Sequence, residues 1–482
     1  MHTENPRGTA GVYAVVAASL FVYACGGPGS SSPPAYSVGG TVTGLASGSS
    51  LTLKNNGMDI ITVASDGAFS FPATVVSGHS YDVTIGTQPQ YQGCSVIAGT
   101  GAVGMANVTA VQVRCPVLTV LHTFGYGVDG ADPKAGLILG RDGNFYGTTE
   151  YGGTNIYGTL FSLTPAGAES VIANFSANTY GGPIAAPLQT SDGSFYGVTY
   201  SGGSSQLGTV FKVAPDGTIT TLWSFGAGSD GQLPTGPLLQ ASDGNFYGTT
   251  TGGGTNGMGT VYRLTAAGTE SLLWSFGGAA DGQYPEGGLV EGSDGNFYGT
   301  TQSGGAAGYG TVFRITPAGV ETVLHSFSYS DGSAPAGAIT LASDGAFYGT
   351  TSGGGNLPGV AGGGVVFRID SAGTFSIVWT FGAGNDGAGA DTGLIQARDG
   401  NFYGTTTGGG SIHACGSSGF GCGTIFKLAP DGTELVLYDF GFGGNGSANS
   451  PLALVEGADG SLYGVTWTGG VPARGTVFRL TL

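Results

Sequence analysis

The sequence predicts an all-β protein in which a seven-bladed β-propeller follows a small β-sandwich. A segment of the form Asp-Gly-Asn-Phe-Tyr-Gly-Thr-Thr, first found at 142–149, occurs seven times at intervals near 50 residues. Glycine contributes 98 of the 482 residues, while 40% of the chain is hydrophobic and only 9% is charged. Repeats of this length are typical of solenoids and propellers, and the composition favours short strands joined by tight turns. Almost no helix is expected after the leader, because apolar residues lack helical spacing.

The first 24 residues are predicted to be a signal peptide. A polar start containing Arg7 is followed by an apolar stretch, 11–24, which is too short to span a membrane. Val22-Tyr23-Ala24-Cys25 resembles the lipobox of bacterial lipoproteins, although Tyr23 replaces the small residue expected there. The resemblance implies acylation of Cys25 and, through Gly26, sorting to the outer membrane. An ordinary secretory signal cleaved nearby is the other interpretation. Residues 25–35 are expected to form a flexible tether.

Residues 36–115 are predicted to form the β-sandwich. Short alternating strands are expected at 39–45, 51–54, 60–63, 69–71, 81–85 and 111–113. Asn55-Asn56-Gly57 is expected to form a turn, and Ser65-Asp66-Gly67 to join the third and fourth strands as a hairpin. This part resembles the immunoglobulin-like modules that precede repeat arrays on bacterial surface proteins. The resemblance implies a spacer, with a binding module as the alternative.

Each repeat in residues 116–482 is predicted to contain four strands, a to d. In the unit 187–225, strand a covers 187–190, b covers 194–199, c covers 208–213 and d covers 219–225. Residues 117–124 match strand d without a preceding a, b or c, whereas the last unit stops after strand c. An open array would leave unpaired edges at both ends. We therefore expect residues 117–124 to complete the last sheet and close a ring of seven blades.

The recurring Asp-Gly-Asn-Phe-Tyr-Gly-Thr-Thr and Gly-Thr-Val-Phe-Arg-Leu segments resemble the glycine-rich GloVer tandem repeat of exported bacterial proteins. The resemblance covers residues 117–482. It implies export and repeat architecture, but it implies no biochemical activity.

Functional residues are expected in the longer b–c and d–a loops, which share one face of a propeller. Five aspartates follow strand d in the d–a loops: Asp129, Asp230, Asp281, Asp331 and Asp386. They are interpreted as turn residues that bond their own backbone, with Ca²⁺ ligands as the alternative. Tyr151, Tyr200 and Trp467 begin b–c loops and are candidates for stacking on sugar rings; local packing is the other interpretation.

Two further sets of residues recur on the strands. Strand d carries, two places before its closing phenylalanine, a residue interpreted as packing between blades: His122, Ala173, Trp223, Trp274, His325, Trp379 or Tyr438. Six c strands carry a basic residue that we expect to pair with neighbouring carboxylates, with a basic ring around a ligand channel as the alternative: Lys212, Arg263, Arg314, Arg368, Lys427 and Arg479.

The five cysteines fit an exported protein in which one carries lipid. If Cys25 is acylated, the remaining four are expected to form the disulfides Cys94–Cys115 and Cys415–Cys422, which need an oxidising compartment. A zinc site made by His413, Cys415 and Cys422 is the alternative for the second pair.

The net charge of −17 argues against nucleic-acid binding and against electrostatic docking on anionic lipid. We expect a monomeric, surface-anchored protein of the cell envelope that meets the membrane only through its lipid. Its propeller is expected to present loops to an extracellular polysaccharide or protein. The alternative is a secreted propeller enzyme, a glycosidase or lyase acting on polysaccharide. No catalytic residue is assigned, because neither a nucleophile elbow nor a phosphate-binding loop occurs, and Ca²⁺ is the one cofactor considered.

Overall fold

The computed structural model describes residues 32–176, 181–226, 229–278, 280–357, 360–382, 386–410, 422–440, 449–471 and 473–482. These residues form 42 β-strands and no helix, which confirms the all-β prediction. Within these ranges no helix is long and apolar enough to cross a membrane. The predicted signal peptide, most of the tether, Cys25, His413 and Cys415 lie outside the described residues.

Residues 35–114 form two four-stranded sheets around one core. The strands are β1 Ala35–Thr43, β2 Leu51–Asn55, β3 Asp59–Val63, β4 Gly67–Val76, β5 Ser80–Thr87, β6 Ser95–Ile97, β7 Thr100–Ala102 and β8 Val108–Arg114. The sheet orders are β4-β1-β8-β6 and β3-β2-β5-β7, and the parallel pair β1–β8 lies in the first. Val38, Leu53 and Val111 are fully buried between the sheets.

The predicted hairpin between the third and fourth strands is wrong. β3 pairs with β2, whereas β4 pairs with β1 in the opposite sheet. Residues 64–66 therefore carry the chain from one sheet to the other. The predicted disulfide Cys94–Cys115 is present, with an S–S distance of 2.01 Å, and both cysteines are buried in the core between the sheets. Strands β6 and β7 were not predicted.

The repeats form seven four-stranded antiparallel sheets, here called sheets 1 to 7, each in the order a-b-c-d. The a strands are β10 Ile138–Leu139, β14 Leu188–Gln189, β19 Leu239–Gln240, β25 Val290–Glu291, β30 Thr340–Leu341, β36 Leu394–Gln396 and β40 Asn449–Glu456. The b strands are β11 Phe145–Thr149, β15 Phe195–Thr199, β20 Phe246–Thr250, β26 Phe297–Thr301, β31 Phe347–Thr350, β37 Phe402–Thr406 and β41 Leu462–Thr468. The c strands are β12 Thr159–Leu163, β16 Thr209–Val213, β22 Thr260–Leu264, β28 Thr311–Ile315, β34 Val365–Ile369, β38 Thr424–Leu428 and β42 Thr476–Thr481.

The d strands show how the chain closes on itself. Six follow their c strands: β13 Glu169–Asn174, β17 Ile219–Ser224, β23 Glu270–Ser275, β29 Glu321–Ser326, β35 Phe375–Thr380 and β39 Glu434–Asp439. The seventh, β9 Val117–Thr123, precedes the first repeat and pairs antiparallel with β42. Leu480 faces Leu118, as Leu163 faces Glu169 in sheet 1. The predicted completion of the last sheet by residues 117–124 is confirmed.

Two series of aromatic contacts join each sheet to the next. The phenylalanine after each d strand packs against the aromatic residue of the following c strand in all seven interfaces; Phe124 meets Phe161 of sheet 1 with ring centroids 5.2 Å apart. In the second series, six of the seven b-strand tyrosines contact the next b-strand phenylalanine, and Tyr463 of sheet 7 meets Phe145 of sheet 1 at 4.0 Å. Between sheets 6 and 7, Leu462 stands in place of the phenylalanine. The contacts therefore run in a closed cycle, and burying each such ring contributes roughly 1.5–3 kcal/mol.

The repeated motif makes its own turn. In the first copy Asp142 Oδ1 accepts a hydrogen bond from the Asn144 amide at 3.1 Å, and Asp142 Oδ2 accepts one from the Tyr146 hydroxyl at 2.8 Å. Gly143 occupies the left-handed region with φ of 82°. Gly147 lies beneath the Phe161 ring, where a Cβ would approach within 2.6 Å of that ring. Turn and close packing thus explain both glycines.

The connections divide between two faces. The a–b and c–d turns are tight and form the turn face. The d–a and b–c loops pair with each other and form the loop face, as in the isolated bridges Ala131–Tyr151 and Ser333–Gly353. Three short ribbons extend the loops: β18 Gly231–Gln232 with β21 Gly252–Gly253, β24 Gly282–Gln283 with β27 Ser303–Gly304, and β32 Asn356–Leu357 with β33 Val360–Ala361.

The first module contacts the edge of sheet 6. Gln92 forms an antiparallel bridge with Tyr438 on β39, and the Gly93 amide donates to the Leu437 carbonyl at 3.2 Å. A Cβ on Gly93 would lie 2.0 Å from the Val436 carbonyl oxygen, so only glycine allows this approach.

Candidate functional site

The loop face is built on a repeated backbone frame. The residue before proline in four d–a loops has a positive φ: Asp132 (54°), Leu233 (57°), Tyr284 (58°) and Ala334 (51°). Non-glycine residues rarely adopt this conformation, and a following proline restricts the backbone further. Two hydrogen bonds hold each one. For Tyr284, the amide donates to the Met258 carbonyl of the preceding sheet at 2.9 Å, and the carbonyl accepts from the Gln302 amide at 3.0 Å.

Three positions on this frame carry different side chains in different repeats. The first is the left-handed residue just described. The second lies two residues later, in sheets 1 to 6: Lys134, Ile184, Thr235, Glu286, Ala336 and Asp391. The third directly follows the repeated Thr-Thr or Val-Thr of strand b: Glu150, Tyr200, Thr251, Gln302, Ser352, Thr407 and Trp467. The buried frame is repeated while these side chains vary, so the loop face can recognise a ligand without changing the fold.

At the junction of sheets 7 and 1, charged side chains form two neighbouring ion pairs, each close to an aromatic ring. Lys134 Nζ forms an ion pair with Glu150 Oε2 at 2.8 Å and lies 4.9 Å from the centre of the Trp467 ring. Arg474 Nη1 pairs with Asp132 Oδ2 at 3.2 Å. The Arg474 guanidinium also lies 4.7 Å from the centre of the Tyr126 ring.

Two pKa values beside these ion pairs are raised. Glu150 beside Tyr151 raises the pKa of the Tyr151 hydroxyl, with burial as the second cause. Burial raises the pKa of Asp132, although Arg474 opposes the shift. Both tyrosine and tryptophan rings remain accessible, since Tyr151 is 42% exposed and Trp467 43% exposed. Tyr200, which holds on sheet 2 the place of Trp467, is 42% exposed.

An open groove of about 520 Å³ lies between sheets 3 and 4. Its lining includes Leu233, Tyr284, Glu286 and Gln302, which occupy the variable positions. Burial raises the pKa of Glu286, and the charge of Asp391 adds to the shift. Burial also raises the pKa of Asp391, to about 6. The groove therefore places a carboxyl group beside amide and phenol groups in a partly dry setting.

Four of the five loop aspartates accept hydrogen bonds from backbone amides of their own loops. Asp230 Oδ1 accepts from the Gly226 amide at 2.9 Å, and the carboxylates of Asp281, Asp331 and Asp386 accept from the Gly277, Ser328 and Gly382 amides. A bond to the aromatic or histidine ring of strand d forms in four repeats, in the pairs His122–Asp129, Trp223–Asp230, Trp274–Asp281 and His325–Asp331. In the described part of the chain no three His, Cys, Asp or Glu side chains form a metal-binding group. The alternative interpretation of these aspartates as Ca²⁺ ligands stays a prediction.

His325 also packs between sheets, because its ring stacks on Phe375 of sheet 5 with centroids 3.7 Å apart. The d-strand position two places before the closing phenylalanine thus combines packing between sheets with a hydrogen bond to the loop aspartate, which the sequence did not indicate.

Four glutamates at these interfaces were missed by sequence reasoning. Glu169, Glu270, Glu321 and Glu434 begin d strands, and each interacts with the loop aspartate of the preceding sheet. Burial is the main cause that raises their pKa values, to about 7 for the first three and about 8 for Glu434. The sequence holds a pattern that could have revealed them. These glutamates begin the d strand that follows a repeat whose ring position holds His122 or a tryptophan, whereas Ile219 begins the d strand that follows the repeat with Ala173.

The basic residues of strand c lie on the turn side of the sheets. Three pair with the motif aspartate, as expected: Lys212 with Asp192 at 3.4 Å, Arg368 with Asp344 at 3.0 Å and Lys427 with Asp399 at 3.9 Å. Each of the six faces the motif tyrosine across the b–c pair, as Lys212 faces Tyr196. They therefore lie away from the loop face, and the alternative of a basic ring around a ligand channel stays a prediction.

Cys422 is disulfide-bonded. Its predicted partner Cys415 and the zinc alternative with His413 fall on residues that the structure does not describe, so the pairing stays a prediction.

Solved structures with similar shape are distant. The extracellular domain of a protein named as a hybrid two-component system from B. thetaiotaomicron matches 80% of this chain and 44% of its own, at 12% identity and a TM-score of 0.47. A protein named as a 6-phosphogluconolactonase from Bacteroides fragilis matches 64% and 83%, at 20% identity and 0.42. A gluconolactonase from Xanthomonas campestris matches 60% and 82%, at 15% identity and 0.36. This chain thus spans less than half of the first of these chains, and at these values none of the similarities bears on activity.

No curated protein sequence matches the chain significantly. The model of one repeat family does match, over residues 92–292, 183–418 and 289–482. These ranges overlap and together include all seven sheets. The chain belongs to the Gloeobacter/Verrucomicrobia repeat family.

Proposed function

We propose that this is an exported protein of the cell envelope whose seven-bladed propeller binds an extracellular ligand through its loop face. The observation that carries the proposal is the contrast within the repeats. Residues that turn the chain or fill the interfaces recur in copy after copy, whereas the three loop-face positions hold Lys134, Glu286, Trp467 and other unrelated side chains. A rigid frame that presents varied loops is the usual arrangement of a binding surface.

The finer architecture belongs to the same proposal. The closed cycle of aromatic contacts and the pairing of β9 with β42 support a ring of seven blades. The two sheets of residues 35–114 are assigned to an immunoglobulin-like spacer, which the Gln92–Tyr438 bridge fixes against sheet 6. The ring is expected to act as a monomer.

Export is supported by the Cys94–Cys115 disulfide, because such bonds persist in oxidising compartments. We assign Cys25 as the acylated residue that anchors the protein to the outer membrane. Labelling with a fatty-acid analogue tests this assignment. Incorporation that is lost in Cys25→Ala supports it, whereas equal incorporation contradicts it.

The binding proposal is tested on an array of extracellular polysaccharides and envelope proteins. Tyr284→Ala and Gln302→Ala change the loop face, and Lys212→Ala is the control on the turn face. We expect binding to be weakened by loop-face changes alone. Loss of binding in Lys212→Ala with retention in both loop-face variants would contradict the proposal, as would the absence of any bound ligand.

A second candidate is a glycosidase or lyase acting on polysaccharide. It is favoured by the raised pKa values of Glu286, which lines the groove, and of Asp391, whose charge acts on Glu286. A carboxyl group with a raised pKa keeps its proton to higher pH and can act as a general acid. Release of reducing or unsaturated ends from polysaccharide would support it if Glu286→Gln or Asp391→Asn abolished the release. Activity that survived both changes would exclude these two residues as the acid.

A further inference from the structure

Four of the exposed aromatic side chains gather in one part of the loop face. Tyr126, Tyr151, Tyr200 and Trp467, here called the aromatic sector, lie on sheets 7, 1 and 2 or on the loop that joins them. Between 42% and 48% of each is exposed. Tyr126, Tyr151 and Trp467 lie where sheets 7 and 1 meet, and Tyr200 holds on sheet 2 the place that Trp467 holds on sheet 7.

The sector is organised by side chains from separate repeats. Trp467 of sheet 7 contacts Lys134, which lies on the loop leading into sheet 1. Lys134 also forms an ion pair with Glu150, the neighbour of Tyr151 in sequence. The backbone supports the same arrangement, because the Ala131 amide donates to the Tyr151 carbonyl at 2.8 Å and the Asp132 amide donates to the Arg474 carbonyl at 2.9 Å. The rings are therefore positioned before a ligand arrives, which lowers the entropy lost on binding.

The local charge restricts the ligand class. Lys134 and Arg474 supply two positive charges, and Glu150 and Asp132 supply two negative ones, in two ion pairs. The sector is thus formally neutral, while the whole chain carries −17. A polyanion would meet no excess of positive charge here and would be repelled by the rest of the surface.

Building on the proposed function, we propose that the aromatic sector binds a neutral polysaccharide. Sugar rings present apolar C–H faces that fit flat on tyrosine and tryptophan rings, and their hydroxyl groups can bond to the partly exposed ion pairs. Polar contacts with charged groups fix orientation, while the rings supply contact area.

The chain contains a matched control site. Tyr329 occupies the place of Tyr126 in the junction of sheets 4 and 5, and Tyr309 occupies the place of Arg474. Their rings contact each other at 5.4 Å, and they are 45% and 41% exposed. This site has exposed tyrosines on the same frame but lacks the tryptophan and the two ion pairs.

The test is affinity electrophoresis of the full mature chain in gels that contain β-glucan, xylan, galactomannan or, as the polyanion, alginate. We expect at least one neutral polysaccharide to retard the protein. Trp467→Ala and Tyr151→Ala should each weaken that retardation by roughly tenfold, as expected for a loss of about 1.4 kcal/mol. Tyr309→Ala and Tyr329→Ala should change it less than about twofold. Melting curves of all four variants confirm that they are folded.

A charge exchange gives a second readout. Lys134→Glu breaks the pair with Glu150 and should weaken retardation, whereas Lys134→Glu combined with Glu150→Lys should restore it. Retardation by a neutral polysaccharide that is insensitive to Trp467→Ala and Tyr151→Ala but lost in Tyr284→Ala overturns this inference and leaves the proposed function standing. Retardation by alginate alone also overturns it. If neither the parent protein nor any variant binds a ligand on the array, both this inference and the proposed function are contradicted.

Discussion

Gly147 shows how closely the repeat frame restricts single residues. A Cβ there would come within 2.6 Å of Phe161 and 2.8 Å of Leu137, both buried in the contact between sheets 7 and 1. We expect Gly147→Ala to destabilise the protein by about 1–3 kcal/mol, because overpacked cores must shift side chains or backbone. Gly125→Ala is the control, since a Cβ at that position meets nothing within 4 Å. Equal melting temperatures for the two variants would show that the close approach is not restrictive.

The interface glutamates predict how stability changes with pH. Burial raises the pKa of Glu434 from its ordinary 4.5 to about 8, with the charge of Asp386 adding to the shift. Between these values the folded chain binds more protons than the unfolded chain, so stability falls as pH rises through this window. The melting temperature should therefore be higher at pH 5 than at pH 8.

Glu434→Gln should reduce this difference, because the amide stays neutral, whereas the exposed Asp82→Asn should leave it unchanged. A melting temperature that rises between pH 5 and pH 8 in the parent would contradict the assignment.

At the scale of elements, the closing strand β9 carries a testable consequence. Phe124 is fully buried against Phe161, and Phe276 is its equivalent between sheets 3 and 4. Replacing either by alanine should cost about 3–5 kcal/mol. The local effects should differ, since β9 has no covalent connection to β42. Hydrogen exchange should accelerate in β9 and β42 for Phe124→Ala, and in sheets 3 and 4 for Phe276→Ala. Unchanged exchange of β9 in Phe124→Ala would contradict this account.

The elements also show which parts of the fold the sequence could predict. In sheets 1 to 6, strands a to d are neighbours in sequence, so their order followed from local turns. For sheet 7, the solitary strand at 117–124 indicated the missing d strand. The error in the first module arose where partners are distant: β4 pairs with β1, and nothing in Ser65-Asp66-Gly67 reveals that the chain changes sheet there. The polar partners at the interfaces were missed for the same reason, because Asp129 and Glu169 meet only when sheets 7 and 1 come together.

The sequence likewise predicted one property of the candidate site, its exposed side chains, but not the contacts between them. Exposure of Tyr151 and Tyr200 followed from their place in loops. Trp467 was also expected to begin a loop, but it lies near the end of strand β41, which continues to Thr468. Their organisation did not follow from the sequence, because Lys134 reaches Trp467 and Asp132 reaches Arg474 only where sheets 7 and 1 come together. Residues more than 300 positions apart in the chain therefore form one surface, as the Arg474–Asp132 separation of 342 shows.

For the whole molecule, closure by β9 predicts that its position in sequence is unimportant as long as sheet 7 is complete. In sheet 1 a five-residue turn, 164–168, joins Leu163 to Glu169, and Leu480 and Leu118 hold the equivalent places. A permuted chain that starts at residue 125 and joins Leu480 to residues 118–124 through Thr-Pro-Ala-Gly-Ala should remain a monomer. Its melting temperature should match that of residues 117–482 in natural order.

Deleting residues 117–124 instead leaves β42 as an exposed edge and removes Phe124 from the interface, so we expect a lower melting temperature and association through β42. Light scattering after size-exclusion chromatography measures both states. A deletion variant that stays monomeric with an unchanged melting temperature would show that the ring does not depend on this strand.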